Sequence, residues 1–315
     1  MSGALVLLNP RAAGGGAGGI AAGVREVTEH SGAGHRFVVP DSVDEALAQV
    51  RALPQGTRVV LCGGDGTVHR MLPALMERKH LLGLVPCGSG NDLARALGYP
   101  LGDLRGALAH ALEGPAVTVD TGELHFAGQC RPFASSVAAG FDASVGLRAL
   151  DGPRWLTGLP RYLWATAMEL KALRRYRISV SVDNAPWSDA EVLFASVLNT
   201  PSYGSGMPAV PHARVEDGRL DLLVAGGFDR LGTLWMLPRL LAGKHLGDSR
   251  VRTTPFQLLS ARAEQEVPLA VDGEVAGFTA EWQVVVKPLS LRVVARPRGT
   301  GRPALRCIAG PVPVV

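Results

Sequence analysis

One carboxylate and one hydroxyl sit inside a glycine turn at Gly63-Gly64-Asp65-Gly66-Thr67, between the apolar run 58–62 and the helix-like stretch that begins at Val68. Glycines let a backbone approach a ligand closely, and the N–H groups at a helix start present it with a positive dipole end. Such a turn suits phosphate. Asp65 would repel a bare phosphate, so its presence makes sense when a cation or a polarised donor lies between the two. Nucleotide chemistry with a metal is the first expectation.

A second turn of the same kind follows the next apolar run, as Pro86-Cys87-Gly88-Ser89-Gly90-Asn91-Asp92-Leu93-Ala94-Arg95. Ligands of a parallel sheet bind beyond the carboxyl ends of its strands. Both turns therefore open on one edge and frame a cleft. Asn91 also suits the cap of the following helix, and Asp92 suits its dipole. The run from Asn9 to Gly19 contains Gly14-x-Gly16-x-x-Gly19, a formal dinucleotide fingerprint with Asp41 near the expected distance. Five residues separate Leu8 from Gly14, however, where the fingerprint needs its first glycine at the strand end. A flap over a nucleotide and an idle loop both fit that run. Asp217-Gly218 reads as a hairpin turn entering a strand. Asp272-Gly273-Glu274 brings two carboxylates together in a pattern that also makes a hairpin turn.

These residues need a frame. Up to about Val117 the chain alternates strands, expected at 4–8, 36–39, 57–62 and 81–85, with helices at 20–30, 43–53, 68–78, 91–97 and 104–112. Fully apolar strands in that alternation predict a parallel sheet covered on both faces. From there to Arg296 short β-rich runs dominate, at 133–137, 177–182, 192–198, 220–225, 251–258, 284–287 and 290–295. Helical stretches near 161–173 and 230–241 interrupt them. A second, mainly antiparallel β domain is predicted. The expected division is 1–118 for the α/β domain and 119–296 for the β-rich one.

Composition narrows the class. The 315 residues are 47% hydrophobic and 19% charged, as in globular proteins. No apolar stretch reaches the ~18–20 residues that cross a bilayer. The first residues lack a basic region before the apolar one, so no signal peptide is expected. Four cysteines, Cys62, Cys87, Cys130 and Cys307, show no CxxC spacing and read as reduced core residues of a cytosolic protein. A net charge of +4 favours anionic surfaces or acidic substrates, although the arginines are scattered. Only 5% of residues are aromatic, with no basic–aromatic stripe, which argues against nucleic acid as a partner.

Taken in order, Asn9-Pro10 with its glycines, 63–67, 88–95, 140–143, 199–207, 217–221 and 272–274 resemble the bacterial diacylglycerol kinase and lipid kinase family. Sphingosine kinases and the catalytic domain of eukaryotic diacylglycerol kinases are its relatives. The 63–67 turn alone is shared with NAD kinases and phosphofructokinases, whereas the 88–95 run and the late Asp-Gly-Glu are not. The resemblance implies a phosphofructokinase-like α/β nucleotide domain joined to a β-sandwich lipid domain, with the active site between them. It implies ATP, Mg2+ and phosphoryl transfer to a lipid hydroxyl, by a cytoplasmic protein working at a membrane surface. It implies that a segment at about 297–315 returns to the first domain, and it leaves a homodimer open.

By position, Asn9, Gly63, Gly64, Asp65, Gly66, Thr67, Gly88, Ser89 and Asn91 would contact the nucleotide. Asp65 would help to hold the metal–phosphate network, and Glu274 would be the general base. Asp217, with the carbonyls of Arg214 and Arg219, would match a structural magnesium site. Positioning and charge neutralisation are what phosphoryl transfer needs, so the assignment is chemically coherent. The chain departs from the family pattern at three places. His69-Arg70 stands where members often carry Asn-Glu, Pro40-Asp41 where a threonine commonly follows the second strand, and Ser89 where threonine is usual. Two other readings stay open: a kinase of a soluble acceptor such as NAD, and a lipid- or nucleotide-binding relative weakened in catalysis, for which His69-Arg70 is the warrant. The stretch 231–237, followed by Arg239 and Lys244, fits an interfacial amphipathic helix or a buried packing helix.

Overall fold

The computed structural model describes residues 3–10, 17–30, 34–153, 155–156 and 158–295. The proposed flap at 11–16, the returning segment at 297–315 and Cys307 lie outside the described residues. The first unit follows from its apolar runs. Strands β1 (Leu5–Leu8), β2 (Arg36–Val38), β3 (Arg58–Gly63) and β4 (Leu81–Pro86) pair in parallel in the order β2-β1-β3-β4. β1 is buried along its whole length, and so is β3 from Val59 onward. Such strands need helices on both faces. These are α1 (Ala17–His30), α2 (Val43–Ala52), α3 (Asp65–Glu77), α4 (Asp92–Ala96) and α5 (Leu104–Glu113). Ser42 caps α2 by accepting from the Glu45 amide at 3.1 Å, and Asp103 caps α5 by accepting from the Gly106 amide at 2.9 Å.

The second unit contains β5 (Ala116–Phe126), β6 (Gln129–Phe133), β7 (Ser136–Ala139), α6 (Phe141–Leu150), α7 (Gly158–Lys171), β8 (Tyr176–Val182) and β9 (Ser188–Leu198). It continues through β10 (Leu220–Gly226), α8 (Arg230–Leu241), β11 (Val251–Phe256), β12 (Leu258–Val271) and β13 (Glu274–Val294). Within this unit the strand pairings are antiparallel. One core gathers Leu124, Phe133, Val197, Phe256 and Trp282 between the strands. Another gathers Phe141, Tyr203, Met207 and Phe228 beneath the helices.

β13 joins the two units. Its first part pairs with β12, and its last residues pair in parallel with β4. β5 lies antiparallel to it across the same junction, so the expected boundary after 118 falls inside β5. The two separate strands expected at 284–287 and 290–295 are one strand, with a register shift between Lys287 and Leu291. Pro288-Leu289 reads as a turn in sequence, yet the Leu289 amide donates to Asp120 Oδ1 at 2.7 Å and the strand continues. The single strand expected at 251–258 is instead divided at Gln257. There Asp183 Oδ1 accepts from the amides of Gln257 and Leu258 at 2.8 and 2.9 Å. Helix α6 was not among the two expected helical stretches. Among the described residues, no helix is long and apolar enough to cross a membrane.

Candidate active site

α3 begins inside the first glycine turn rather than at Val68. Gly64 is its N-cap, and Asp65, Gly66 and Thr67 form its first turn. Asn9, just beyond β1, donates its amide to Cys62 O at 3.0 Å and its side-chain Nδ2 to Thr67 Oγ1 at 2.8 Å. The second turn is tied to the first by the Cys87 amide, which donates to Gly63 O at 2.9 Å. Gly64 and Gly88 then pass backbone to backbone: a Cβ on Gly64 would lie 2.8 Å from Gly88 Cα. Only glycine permits that approach.

Asn91 stands at the N-cap of α4, with its carbonyl accepting from the Arg95 amide at 2.9 Å, but its side chain does not cap the helix. It adopts a left-handed conformation, with φ 57°, that turns its side chain back onto the loop. Its Oδ1 accepts from the Gly88 amide at 3.0 Å, and its Nδ2 donates to Gly88 O at 2.6 Å. The cap comes from Asp65, whose oxygens accept from the amides of Asp92 and Leu93 at 3.2 and 3.3 Å. Asp92 faces the second unit, accepting from Ser202 Oγ at 2.7 Å and from the Gly206 amide at 3.1 Å. Burial, then the neighbouring charges of Asp92 and Asp272, raise the Asp65 carboxyl to about 7, against the pull of its amide donors. Burial also raises Asp92.

Across the cleft, Asp272 and Gly273 form the tip of the β12–β13 hairpin. Their φ values of 48° and 82° suit a two-residue primed turn between the paired Val271 and Glu274. Asp272 is buried and accepts from the amides of Ala134, Ser135 and Ser136 at 3.0, 2.7 and 3.0 Å. His69 Nδ1 lies 3.2 Å from its Oδ2. Arg70 Nη2 donates to both Glu274 oxygens at 3.2 Å each. A Cβ on Gly66 would collide with the Glu274 carboxylate. The second unit's hairpin therefore rests on the first turns of α3.

A cleft of about 1200 Å³ opens where these parts meet. Of the residues expected to touch the nucleotide, Asn9, Gly64, Gly66, Thr67, Gly88, Ser89 and Asn91 line it, and Glu274 lines it opposite. Gly63 and Asp65 do not. Gly63 is buried at the strand end, and Asp65 turns its carboxylate toward α4. Arg214, Asp217 and Arg219 are not part of the lining. Sequence reading missed Arg70, Arg95 and Arg161, three cations on the cleft wall. His69 and Arg70 had been singled out as departures from the family pattern. The positive charge of Arg70, opposite to the late carboxylates, was the signal that could have identified it as a partner.

Two further groups of donors are chemically distinct. The Asp217 carboxyl accepts from the Arg219 amide at 3.1 Å and is raised by burial, then by the charges of Asp221 and Asp120. The neighbouring carboxylates have partners of their own: Asp120 accepts from the Gly218 and Leu289 amides at 2.7 Å each, and His212 Nε2 lies 3.7 Å from Asp221 Oδ1. Glu123, His125 and Cys130 also cluster on the β5–β6 hairpin, outside the cleft lining. Lys287 Nζ already lies 3.0 Å from the Glu123 carboxylate there. Cys130 is exposed, against the core position expected of it, because the outward face of a hairpin strand carries it.

Tyr162 borders the cleft and also a second, apolar cavity of about 70 Å³ lined by Phe141, Phe194, Phe228, Leu237 and Leu240. α8 walls that cavity but buries none of its residues fully, with Leu231 76% and Trp235 68% exposed. The buried-helix reading of this stretch is therefore corrected: α8 packs through Met236 and Leu240, and its opposite face is open.

A family profile described as diacylglycerol kinase catalytic domain matches residues 3–124, and one described as YegS C-terminal NAD kinase beta sandwich-like domain matches 135–295. A protein named diacylglycerol kinase from Mycobacterium tuberculosis (strain ATCC 25618 / H37Rv) is 32% identical over 261 residues, covering 82% of this chain and 83% of that one. One of the same name from Bacillus subtilis (strain 168) is 26% identical over 240 residues, covering 73% and 75%. In fold, the chain is similar to a crystal structure of a diacylglycerol kinase from Bacillus anthracis str. Sterne, with TM-score 0.69 at 16% identity over 94% and 97% of the two chains. It is also similar to an NAD kinase from Archaeoglobus fulgidus in complex with ATP, with TM-score 0.52 at 10% identity over 92% of each.

Proposed function

The chain belongs to the lipid kinase family of diacylglycerol kinases and YegS-like proteins, and from that membership we propose that it transfers the γ-phosphoryl group of ATP to a lipid hydroxyl. The observation that carries the reading is the contact between the Glu274 carboxylate and Gly66, which sets a base beside a phosphate-type turn in one cleft. The cleft volume of about 1200 Å³ exceeds the ~300–1,000 Å³ of a usual small-molecule site, leaving room for nucleotide and acceptor together.

In this reading the amides of 64–66 and of Ser89 cradle the phosphates, and Asn9 holds Thr67 in place. Glu274 takes the proton of the acceptor hydroxyl as its oxygen attacks the γ-phosphorus. The bond to the β–γ bridging oxygen breaks, and ADP leaves with the electron pair. Mg2+ would neutralise the charge on the phosphates. Asp65, raised to about 7 by burial and then by the charges of Asp92 and Asp272, faces α4 and in this reading ties the second turn to the first. Asp217, with the carbonyls of Arg214 and Arg219, would hold a second, structural Mg2+.

A lipid acceptor is favoured by the apolar cavity beyond Tyr162 and by the exposed face of α8, flanked by Arg230, Arg239 and Lys244. That combination suits a protein lying on an anionic membrane surface. The cavity holds about two waters at ~30 Å³ each, so an acyl chain would enter by displacing α8. Incubation with labelled ATP, Mg2+ and a total lipid extract tests the proposal, with a labelled lipid expected. Label in NAD with none in lipid would overturn it in favour of a soluble acceptor. Binding of ATP with no labelled product would overturn it in favour of a catalytically silent relative.

A further inference from the structure

Arg70 stands one residue beyond the His69 that holds the hairpin tip, and three beyond Thr67 of the phosphate-type turn. Its one donating nitrogen is shared between both Glu274 oxygens at 3.2 Å. A charge-assisted bond of full strength is shorter, at ~2.7–2.9 Å. Both side chains also face the cleft, 43% and 38% exposed. A pair so open and so loosely made is weakly held. His69 and Asp272 are the opposite case, with side chains only 15% and 2% exposed and three amides on the same carboxylate. The hairpin therefore stays anchored if Arg70 leaves.

A triphosphate bound along 64–67 would bring its terminal group close to Gly66, and so close to Glu274 and Arg70. Two anions would then compete for one guanidinium. Glu274 meanwhile needs a free oxygen to receive the hydroxyl proton. Resting on the kinase reading above, we infer that Arg70 is a catalytic residue that exchanges partners, leaving Glu274 for the γ-phosphoryl oxygens when ATP binds. The exchange frees the base and neutralises the transferred group in one movement. The hydroxyl proton still goes to Glu274, and the bridging oxygen still leaves with ADP; Arg70 transfers nothing.

The test compares Arg70→Gln, Arg70→Lys and Glu274→Gln with the unchanged protein, reading ATP and ADP affinity by calorimetry alongside kcat. ADP lacks the γ-phosphoryl, so Arg70→Gln should weaken ATP binding about tenfold and leave ADP binding unchanged. Loss of a preorganised transition-state donor should lower its kcat by roughly 100- to 1,000-fold, with Arg70→Lys between the two. Glu274→Gln, which removes the competitor, should bind ATP several-fold more tightly with ADP unaltered. Equal losses for ATP and ADP, an unchanged ATP preference, or a kcat that rises in Arg70→Gln would each overturn the inference. The ATP-to-ADP comparison needs no acceptor, so it judges Arg70 even if the lipid reading fails.

Discussion

Replacing Gly64 by alanine isolates the closest contact in the site. Its backbone, at φ −108° and ψ −169°, is open to any residue, so conformational strain plays no part. The new Cβ would lie 2.8 Å from Gly88 Cα and 3.5 Å from Gly88 N. Carbon atoms prefer about 3.5–4.0 Å, so the turns must separate by roughly 0.7–1 Å, and neither atom belongs to a side chain that could rotate away. Overpacking of this kind costs about 1–3 kcal/mol, while the stiffer unfolded chain returns about 0.4–1 kcal/mol. A net loss of roughly 1–2 kcal/mol corresponds to a melting point lower by about 1.5–3 °C for a chain of this length. A shift of about 1 Å in the phosphate-facing amides should also reduce kcat/KM by about 100-fold. Calorimetry and ATP titration read both. Gly19→Ala is the control, because nothing lies within 4 Å of its Cβ, and in α1 it should stabilise by about 0.5–1 kcal/mol. If Gly64→Ala melts with or above the unchanged protein and binds ATP normally, the close-approach argument is wrong.

Other consequences follow for the base, the core and the surface. Glu274→Gln should lower kcat by about 100- to 10,000-fold while ATP is still bound, and wild-type turnover would remove Glu274 from the mechanism. Asp142 is buried in the first turn of α6, where Ser196 Oγ donates to it, and burial raises its carboxyl from 3.8 to about 6. Its folded value lies above the unfolded one, so the unfolded chain ionises first and stability falls as pH rises from about 4 to 6. At about 1.4 kcal/mol for each tenfold change in proton affinity, the loss is about 3 kcal/mol. Urea titrations at pH 4 and 7 should show that part of the dependence missing in Asp142→Asn. Changing Leu231, Leu234 and Trp235 together to serine should raise KM for acceptor in anionic vesicles several-fold and spare a short-chain dispersed acceptor. Equal activity on vesicles would exclude α8 from membrane contact.

The parallel strands were legible because residues buried on both faces leave uninterrupted apolar runs, as in Val59-Val60-Leu61-Cys62. The paired glycine turns were legible for a related reason, since few other features place so many glycines directly behind such a run. What escaped is non-local. The helix α4 is capped by Asp65, 27 residues earlier, and nothing near Asn91 announces it. His69 with Asp272 and Arg70 with Glu274 bridge 203 and 204 residues. The length of β12 was hidden by Glu264-Gln265-Glu266, an exposed polar stretch that falls within a register shift. A pattern of alternation cannot survive such an irregularity.

The placement of β13 has a consequence for how the chain is made. Leu291, Val293 and Val294 pack into the same core as the first strands, and Arg292 and Val293 complete the edge beside β4. The sheet of the first unit therefore keeps an open margin until residues 291–293 have been made, and contacts so distant in sequence form slowly. Truncation just before Leu291 should leave an N-terminal half that associates through its bare edge instead of folding alone.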